Sequence, residues 1–227
     1  MSDTPPSRTA PTAAEYLAAI SAASAPGPAA ASAARLGASL RELNRVVVGS
    51  SAPDGVLDEI ASEVDRLTAR LRPHARESRY EQALAVSGTG SFINHPMIGP
   101  ANPCSPPIAM RVDGNRLVGD VTFATPQEGP PGCGYGGYLA AGFDAILLMT
   151  AGINEVGGPT KAMAVRYRRP TPLHVPLRYV AEVERVEERV VHVQGRLVDE
   201  HDTVYVEGSA EVAHRASIVN PAGPPAR

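Results

Sequence analysis

Residues 128–153, EGPPGCGYGGYLAAGFDAILLMTAGI, join a Gly/Pro-rich loop directly to the longest apolar segment of the chain. The apolar part, residues 138–153, is long enough for about four helical turns and is apolar on nearly every side, which is typical of a buried helix. One acid, Asp144, interrupts it. Burial of a carboxylate is costly unless the group is paired, hydrogen-bonded or used in chemistry, so Asp144 is a candidate functional residue.

The loop before this helix is rich in glycine. Four glycines lie within six residues, at positions 132, 134, 136 and 137. Glycine lets a backbone or a ligand approach closely, and the free N–H groups at a helix start attract negative charge. The sequence therefore predicts an oxyanion-binding site at the helix start, with an acid about two turns further on.

Strand patterns lie on both sides of the predicted helix. Two precede it, at residues 108–112 and 117–123, and four follow, at residues 162–168, 177–186, 190–198 and 204–212. Consecutive strands with short links must be antiparallel. A helix that is apolar all round is wrapped by the sheet and not merely laid upon it. The expected fold class is therefore α+β, an antiparallel sheet wrapped around a long central helix.

Four segments are predicted along the chain. Residues 1–33, rich in Ala, Pro, Ser and Thr, form a disordered tail in which residues 13–23 are at most a transient helix. Residues 34–86 contain two amphipathic patterns and form a helical hairpin, laid on the domain or on a partner subunit. Residues 87–214 form the α+β domain, and residues 215–227 form a flexible C-terminal tail.

Composition argues against several classes of partner. The net charge of −3 gives no general attraction to nucleic acid. We expect no membrane span, because residues 138–153 are too few and include an acid. The two cysteines form no disulfide framework and have no metal-ligand spacing with a histidine, so we expect no metal. No basic start precedes an apolar run, and the expected location is the cytoplasm.

A set of short motifs resembles one known family. They are Asn102-Pro103, Phe123, Gly129-Pro130-Pro131-Gly132, Tyr135-Gly136-Gly137, Asp144, Thr160 and the run YRRPTPL at residues 167–173. Together, over residues 100–214, they resemble the hotdog-fold acyl-CoA thioesterases of the PaaI and THEM4-like group. The resemblance implies a hotdog fold and the hydrolysis of an acyl-CoA or acyl-carrier-protein thioester. Coenzyme A would enter as part of the substrate, with no other cofactor.

The resemblance also implies roles for the residues of the central helix. In that family two subunits pair their sheets, and each site lies between them. The amide of Gly136 or Gly137 would polarise the thioester carbonyl. Asp144 of the other subunit would act as general base on water, or as nucleophile. Thr160 would orient the acid and the water. A homodimer or a dimer of dimers is expected.

Substrate-binding residues are implied in the same way. Arg166, Arg168 and Arg169 are candidates for contacts with the phosphates of coenzyme A, and Asn102 is a further candidate. Strand alternation places Arg166 and Arg168 on one face of the sheet, so an exposed sheet face is the alternative interpretation.

Tyr135 is where this chain departs from the family, which has a histidine at that position. A phenol can still donate a hydrogen bond, but it does not serve as a base near neutral pH. Tyr135 therefore keeps the geometry, narrows the pocket, or marks a member with altered or lost activity.

The sequence leaves three alternatives to hydrolysis and one alternative nucleophile. A hotdog protein that binds an acyl thioester without turnover fits the same residues. A hotdog dehydratase usually needs a histidine, which Tyr135 replaces. Cys133 lies near the site, but no histidine is close in sequence to activate its thiol. The GxGxxG string at residues 132–137 follows two prolines and not a strand, which disfavours a dinucleotide-binding unit.

Overall fold

A six-stranded antiparallel sheet dominates the computed structural model, which describes residues 12–76 and 92–214. Parts of three predicted segments lie outside the described residues. They are residues 1–11 of the N-terminal tail, residues 77–86 of the hairpin and the whole C-terminal tail. The strands are β1 (Ala109–Asp113), β2 (Arg116–Val121), β3 (Thr160–Tyr167), β4 (Leu177–Val186), β5 (Val190–Val198) and β6 (Val204–Ala213).

The strand order is β1-β2-β4-β5-β6-β3, and every pairing is antiparallel. β1 and β2 form one hairpin, and β4, β5 and β6 form a meander, because their links are short. The helix between β2 and β3 carries the chain across the sheet, so that β3 lies at the far edge next to β6. This edge position leaves one side of β3 without a partner strand among the described residues.

The central helix, Gly136–Ile153, is wrapped by the sheet as predicted. Three helices precede it in the described residues, α1 (Ala13–Ser24), α2 (Pro28–Val48) and α3 (Asp54–Leu71), so the central helix is α4. Phe143, Ile146 and Leu147 of α4 are completely buried and belong to the one large core cluster under the sheet. Among the described helices only α4 has the length and hydropathy of a membrane span, and 56% of that window is buried inside the fold.

The structure differs from the predicted disorder over residues 13–33, which form α1 and the start of α2. Thr12 and Glu15 form a reciprocal capping box that fixes where α1 begins. Tyr16 and Ile20, one turn apart, are buried in the core, where the Tyr16 ring lies against Gly152 at the end of α4. The composition of this segment indicated disorder because half of α1 is alanine, and its large buried side chains are those of Tyr16 and Ile20.

α2 and α3 occupy the positions of the two predicted amphipathic helices, but only α2 is anchored to the domain. Arg41 of α2 donates hydrogen bonds from Nη1 to the carbonyls of Pro100 and Asn102, both at 2.9 Å. Every residue of α3, in contrast, is exposed. Of the two helices of the predicted hairpin, α2 packs on the domain and α3 does not.

Candidate functional site

The start of α4 presents two amides without acceptors. Tyr135 is the N-cap, and its own N–H donates to the Gln127 carbonyl at 2.7 Å. The Tyr135 carbonyl accepts from the amide of Tyr138 at 3.0 Å, which closes the first turn. No described residue accepts a hydrogen bond from the amides of Gly136 and Gly137. Both are therefore available to hold a negatively charged oxygen.

A tyrosine from β3 fixes the peptide between these two glycines. The Tyr167 hydroxyl donates to the Gly136 carbonyl at 2.8 Å. A peptide group is planar, so holding that carbonyl also holds the Gly137 N–H, which points the opposite way. Tyr167 lies in the run YRRPTPL, and the sequence predicted no role for it in the site. Strand alternation could have indicated its role, because it puts Tyr167 on the same face of β3 as Val165, which packs against the core.

The ring of Tyr135 lies beside the free amides. A Cβ added to Gly137 would stand 2.5 Å from Tyr135 Cε1, so the ring rests directly on this glycine. Tyr135 is 56% exposed, and its ring makes an edge contact with the Tyr138 ring at a centroid distance of 6.4 Å. The phenol thus lines one side of the helix start, and a larger residue at position 137 would require the Tyr135 ring to move.

Asp144 is exposed, so the predicted burial of this acid is wrong for the single chain. The reason is that one face of α4 is covered by neither the sheet nor α1. Gly137 and Asp144 on that face are exposed, while Ala141 and Leu148 are half-buried. We call these four residues the open strip. They recur at helical spacing along one side of α4, and two of them are small.

Thr160 and Asp144 are in contact across the gap between the edge strand and α4. The Thr160 hydroxyl donates to Asp144 Oδ1 at 3.2 Å. Thr160 is the first residue of β3, and a register shift directly follows it in the pairing with β6. This hydrogen bond joins two residues that the family resemblance implies for one site.

The two halves of the predicted site are separated along α4. Asp144 lies seven and eight residues beyond Gly137 and Gly136, or about 10–12 Å at the helical rise per residue. A water molecule activated by Asp144 would have to lie about 3 Å from a carbonyl carbon whose oxygen contacts the glycine amides. One copy of α4 does not satisfy both conditions, so both groups act on one substrate only if they come from different copies.

The predicted phosphate contacts lie away from this region. Val165 and Tyr167 face α4, so Arg166 and Arg168 extend from the opposite face of the sheet. Arg168 donates from Nε and Nη2 to Glu207 Oε2, at 2.9 and 2.6 Å. In the single chain, Arg166 and Arg168 therefore lie on an exposed face of the sheet, which was the alternative interpretation.

Arg169 and Asn102 are held by local contacts. The Arg169 amide donates to the Tyr205 carbonyl at 3.1 Å. Asn102 Nδ2 donates to the Asn94 carbonyl at 3.1 Å, and Asn102 Oδ1 accepts from the Cys104 amide at 2.9 Å. Both polar atoms of the Asn102 side chain therefore stabilise the loop on which α2 rests. Within residues 12–76 and 92–214, no cluster of three His, Cys, Asp or Glu side chains could hold a metal.

Comparison with known proteins identifies the type of domain. Residues 134–206 match the model of the thioesterase superfamily. A crystal structure of a thioesterase superfamily protein aligns with a TM-score of 0.71 at 24% identity, covering 80% of this chain and 90% of that one. The E. coli PaaI protein, from the phenylacetic acid degradation operon, gives a TM-score of 0.45 at 14% identity and covers 48% of this chain and 80% of its own. Thioesterase superfamily member 2 of Mus musculus gives 0.43 at 15% identity, with 47% and 80% covered.

The first of these structures, together with the family match, establishes the fold. The sheet wrapped around α4 is a hotdog fold, as predicted. The first structure covers 80% of this chain, and residues 92–214 make up a smaller share than that. The likeness therefore extends into the helices before residue 77. No curated protein matches the chain.

Proposed function

Since residues 134–206 match the model of the thioesterase superfamily and the domain has a hotdog fold, we propose that the protein hydrolyses acyl thioesters of coenzyme A or of an acyl carrier protein. The observation that carries the proposal is the hydrogen bond from Thr160 to Asp144 on the one open face of an otherwise buried helix. A carboxylate oriented by a hydroxyl, beside a free sheet edge, is suited to act on a ligand or water bound between two subunits.

The proposed site needs a second copy of the chain. The free edge of β3 and the open strip lie next to each other, and both would be covered when two sheets pair edge to edge. The small residues of the strip allow a second α4 to approach closely. In such a homodimer the glycine amides of one subunit would face the Asp144 carboxylate of the other.

The reaction then follows from the chemistry of these groups. Asp144 takes a proton from water as the water oxygen attacks the thioester carbonyl carbon. The carbonyl oxygen becomes negatively charged and is held by the amides of Gly136 and Gly137, each worth about 3 kcal/mol in such sites. The tetrahedral intermediate collapses, the C–S bond breaks, and the leaving thiolate takes up the proton that Asp144 removed from water, which restores the Asp144 carboxylate. The products are a free acid and a free thiol.

A second candidate function is the binding of an acyl thioester without hydrolysis. The observation that favours it is Tyr135, whose ring covers Gly137 in place of an imidazole that could exchange a proton. In this case the same amides would hold the carbonyl, and Asp144 would serve only to orient the ligand.

An assay with a series of straight-chain acyl-CoA thioesters distinguishes the two candidates. The acyl chains run from two to about sixteen carbons, in steps of about two carbons. Release of free thiol is followed with a thiol reagent, and binding is followed by calorimetry. Turnover of any member well above its spontaneous rate supports hydrolysis. Tight binding with no released thiol across the series would establish the second candidate and overturn the first.

Substitution of Thr160 tests the hydroxyl that orients the acid. Thr160→Val keeps the shape of the side chain and removes the donor, so we expect kcat to fall about ten-fold, the effect of losing one hydrogen bond to a charged group. Thr160→Ser, which keeps the donor, is the matched control and should stay within about two-fold. Equal losses in both variants would show that the methyl group matters and the hydroxyl does not.

Substitution of Tyr167 tests the positioning of the Gly137 amide. Tyr167→Phe removes the hydrogen bond to the Gly136 carbonyl and frees the peptide, and we expect kcat to fall about three- to ten-fold with KM little changed. The amide resonance of Gly137 should also move in a ¹H–¹⁵N spectrum, because a hydrogen bond at the carbonyl polarises the following N–H. A lowered melting temperature with an unmoved Gly137 resonance would assign Tyr167 a purely structural role.

A further inference from the structure

Helix α3 carries an apolar seam that nothing in the described chain covers. Its members are Leu57, Ile60, Val64, Leu67 and Leu71, with 37% to 52% of each residue exposed. Their spacings are 3, 4, 3 and 4 residues, the a/d pattern by which one helix packs against another. Apart from Val56 in the first turn, the other positions are charged, small or polar. The helix therefore has one apolar face, and no other element of the described residues packs on it.

The charges of α3 are divided between its two halves. Residues 54–65 contain five acids and no basic residue, whereas residues 66–76 contain four arginines and no acid. This order suits the dipole of a single helix. It also makes the segment complementary to itself when two copies run in opposite directions, since each acidic half then faces a basic half. A parallel pair would place like charges together.

An antiparallel register also brings specific charges together. Placing Val64 opposite Leu67 of the second copy places Ile60 opposite Leu71, giving four apolar layers. In this register Glu63 of each copy lies across from Arg70 of the other copy. The two pairs are equivalent, because the two-fold axis of the helix pair relates them. Ala61 and Thr68, on the other flank, are small enough for close approach.

The single chain leaves these charges weakly engaged. Glu63 is 3.9 Å from Arg66, and both side chains are at least 70% exposed, a geometry that contributes little. Arg70 has no ion pair with any residue of the described ranges.

We propose that α3 pairs antiparallel with α3 of a second copy of this chain, through the seam and through two Glu63–Arg70 ion pairs. The pairing is independent of the proposed hydrolysis. It uses neither β3 nor the open strip. It gives the chain a second self-complementary surface besides the free sheet edge, and with it a route to a dimer of dimers.

Disulfide trapping in the full-length protein tests the proposal. In a background of Cys104→Ser and Cys133→Ser, chains with Val64→Cys are mixed with chains carrying Leu67→Cys and oxidised. The expected result is a 64–67 crosslink between chains in clear excess over 64–64 and 67–67. Ser62→Cys, on the opposite side of α3, is the matched control and should not crosslink.

Charge reversal tests the register. Added to both cysteine chains, Glu63→Arg should lower the rate of 64–67 crosslinking about ten-fold, because both ion pairs become repulsions. The double change Glu63→Arg with Arg70→Glu should restore it. A dominant 64–64 crosslink would mean parallel pairing and overturn the proposal. Absence of any crosslink would mean that another segment or another protein covers the seam, and would also overturn it.

Discussion

Replacement of Asp144 by asparagine is expected to lower kcat for thioester hydrolysis by about 100- to 10,000-fold, the usual contribution of a positioned general base. The amide keeps the size of the carboxylate and still accepts a hydrogen bond from Thr160, but it does not take a proton from water. Because Asp144 is exposed in the single chain, the substitution should not disturb the core. Thiol release under single-turnover conditions, with circular dichroism of both proteins, measures the effect.

The matched control is Asp65→Asn, which removes an exposed carboxylate on α3. Its rate should equal that of the unmodified protein. An Asp144→Asn enzyme that retained full kcat would contradict the assigned chemistry, whatever the substrate.

The same variant tests the division of the site between subunits. A chain with Asp144→Asn is co-refolded with a chain carrying Gly137→Ala, in which the new Cβ meets the Tyr135 ring and disturbs the amide. Each variant alone has two damaged sites. A mixed dimer has one site with both groups intact, so random mixing should recover about one quarter of the unmodified activity. Recovery of none would place both groups of a site in one chain.

Replacement of Gly142 by alanine is expected to destabilise the fold by about 1–3 kcal/mol, the usual cost of overpacking a core. A Cβ at this position would lie 2.3 Å from the Tyr179 hydroxyl oxygen and 2.6 Å from Tyr179 Cζ. Tyr179 is completely buried, and its hydroxyl donates to the Leu139 carbonyl at 3.0 Å. Burial raises the pKa of this phenol, so it stays a neutral donor. The ring also meets Phe143 edge-on at 5.0 Å and has no free direction in which to move.

Gly55→Ala is the control for this prediction. It is also a helical glycine, but an added Cβ there has no atom within 4 Å. Alanine should leave the free energy of unfolding unchanged or raise it by about 0.5–1 kcal/mol. Urea denaturation measures both variants. In the double variant with Tyr179→Phe, the loss should be smaller than the sum of the two single losses. Equal midpoints for Gly142→Ala and the unmodified protein would refute the close packing.

Most of the domain was predictable because its signals are local. The strand predicted at residues 190–198 has the bounds of β5, and α4 begins only two residues before its predicted start. Alternation and turn chemistry determine such elements without knowledge of their neighbours. The wrapping of α4 followed from its apolar character on nearly all sides.

Features that depend on distant contacts were not predictable in this way. The exposure of Asp144 follows from how far the sheet reaches around α4, which no pattern in α4 records. The burial of Tyr16 depends on its packing against Gly152 at the end of α4, more than 130 residues later in the chain. The contact of Thr160 with Asp144 was expected from family resemblance and not from spacing.

The separation of Asp144 from the glycine amides along α4 has a consequence for communication between sites. In the proposed dimer each α4 contributes its first residues to one site and its middle to the other. A helix is stiff over about two turns, so it moves as a body. A displacement of α4 caused by a ligand at one site would therefore shift the acid of the other. The two sites of such a dimer would sense each other's occupancy through a single helix.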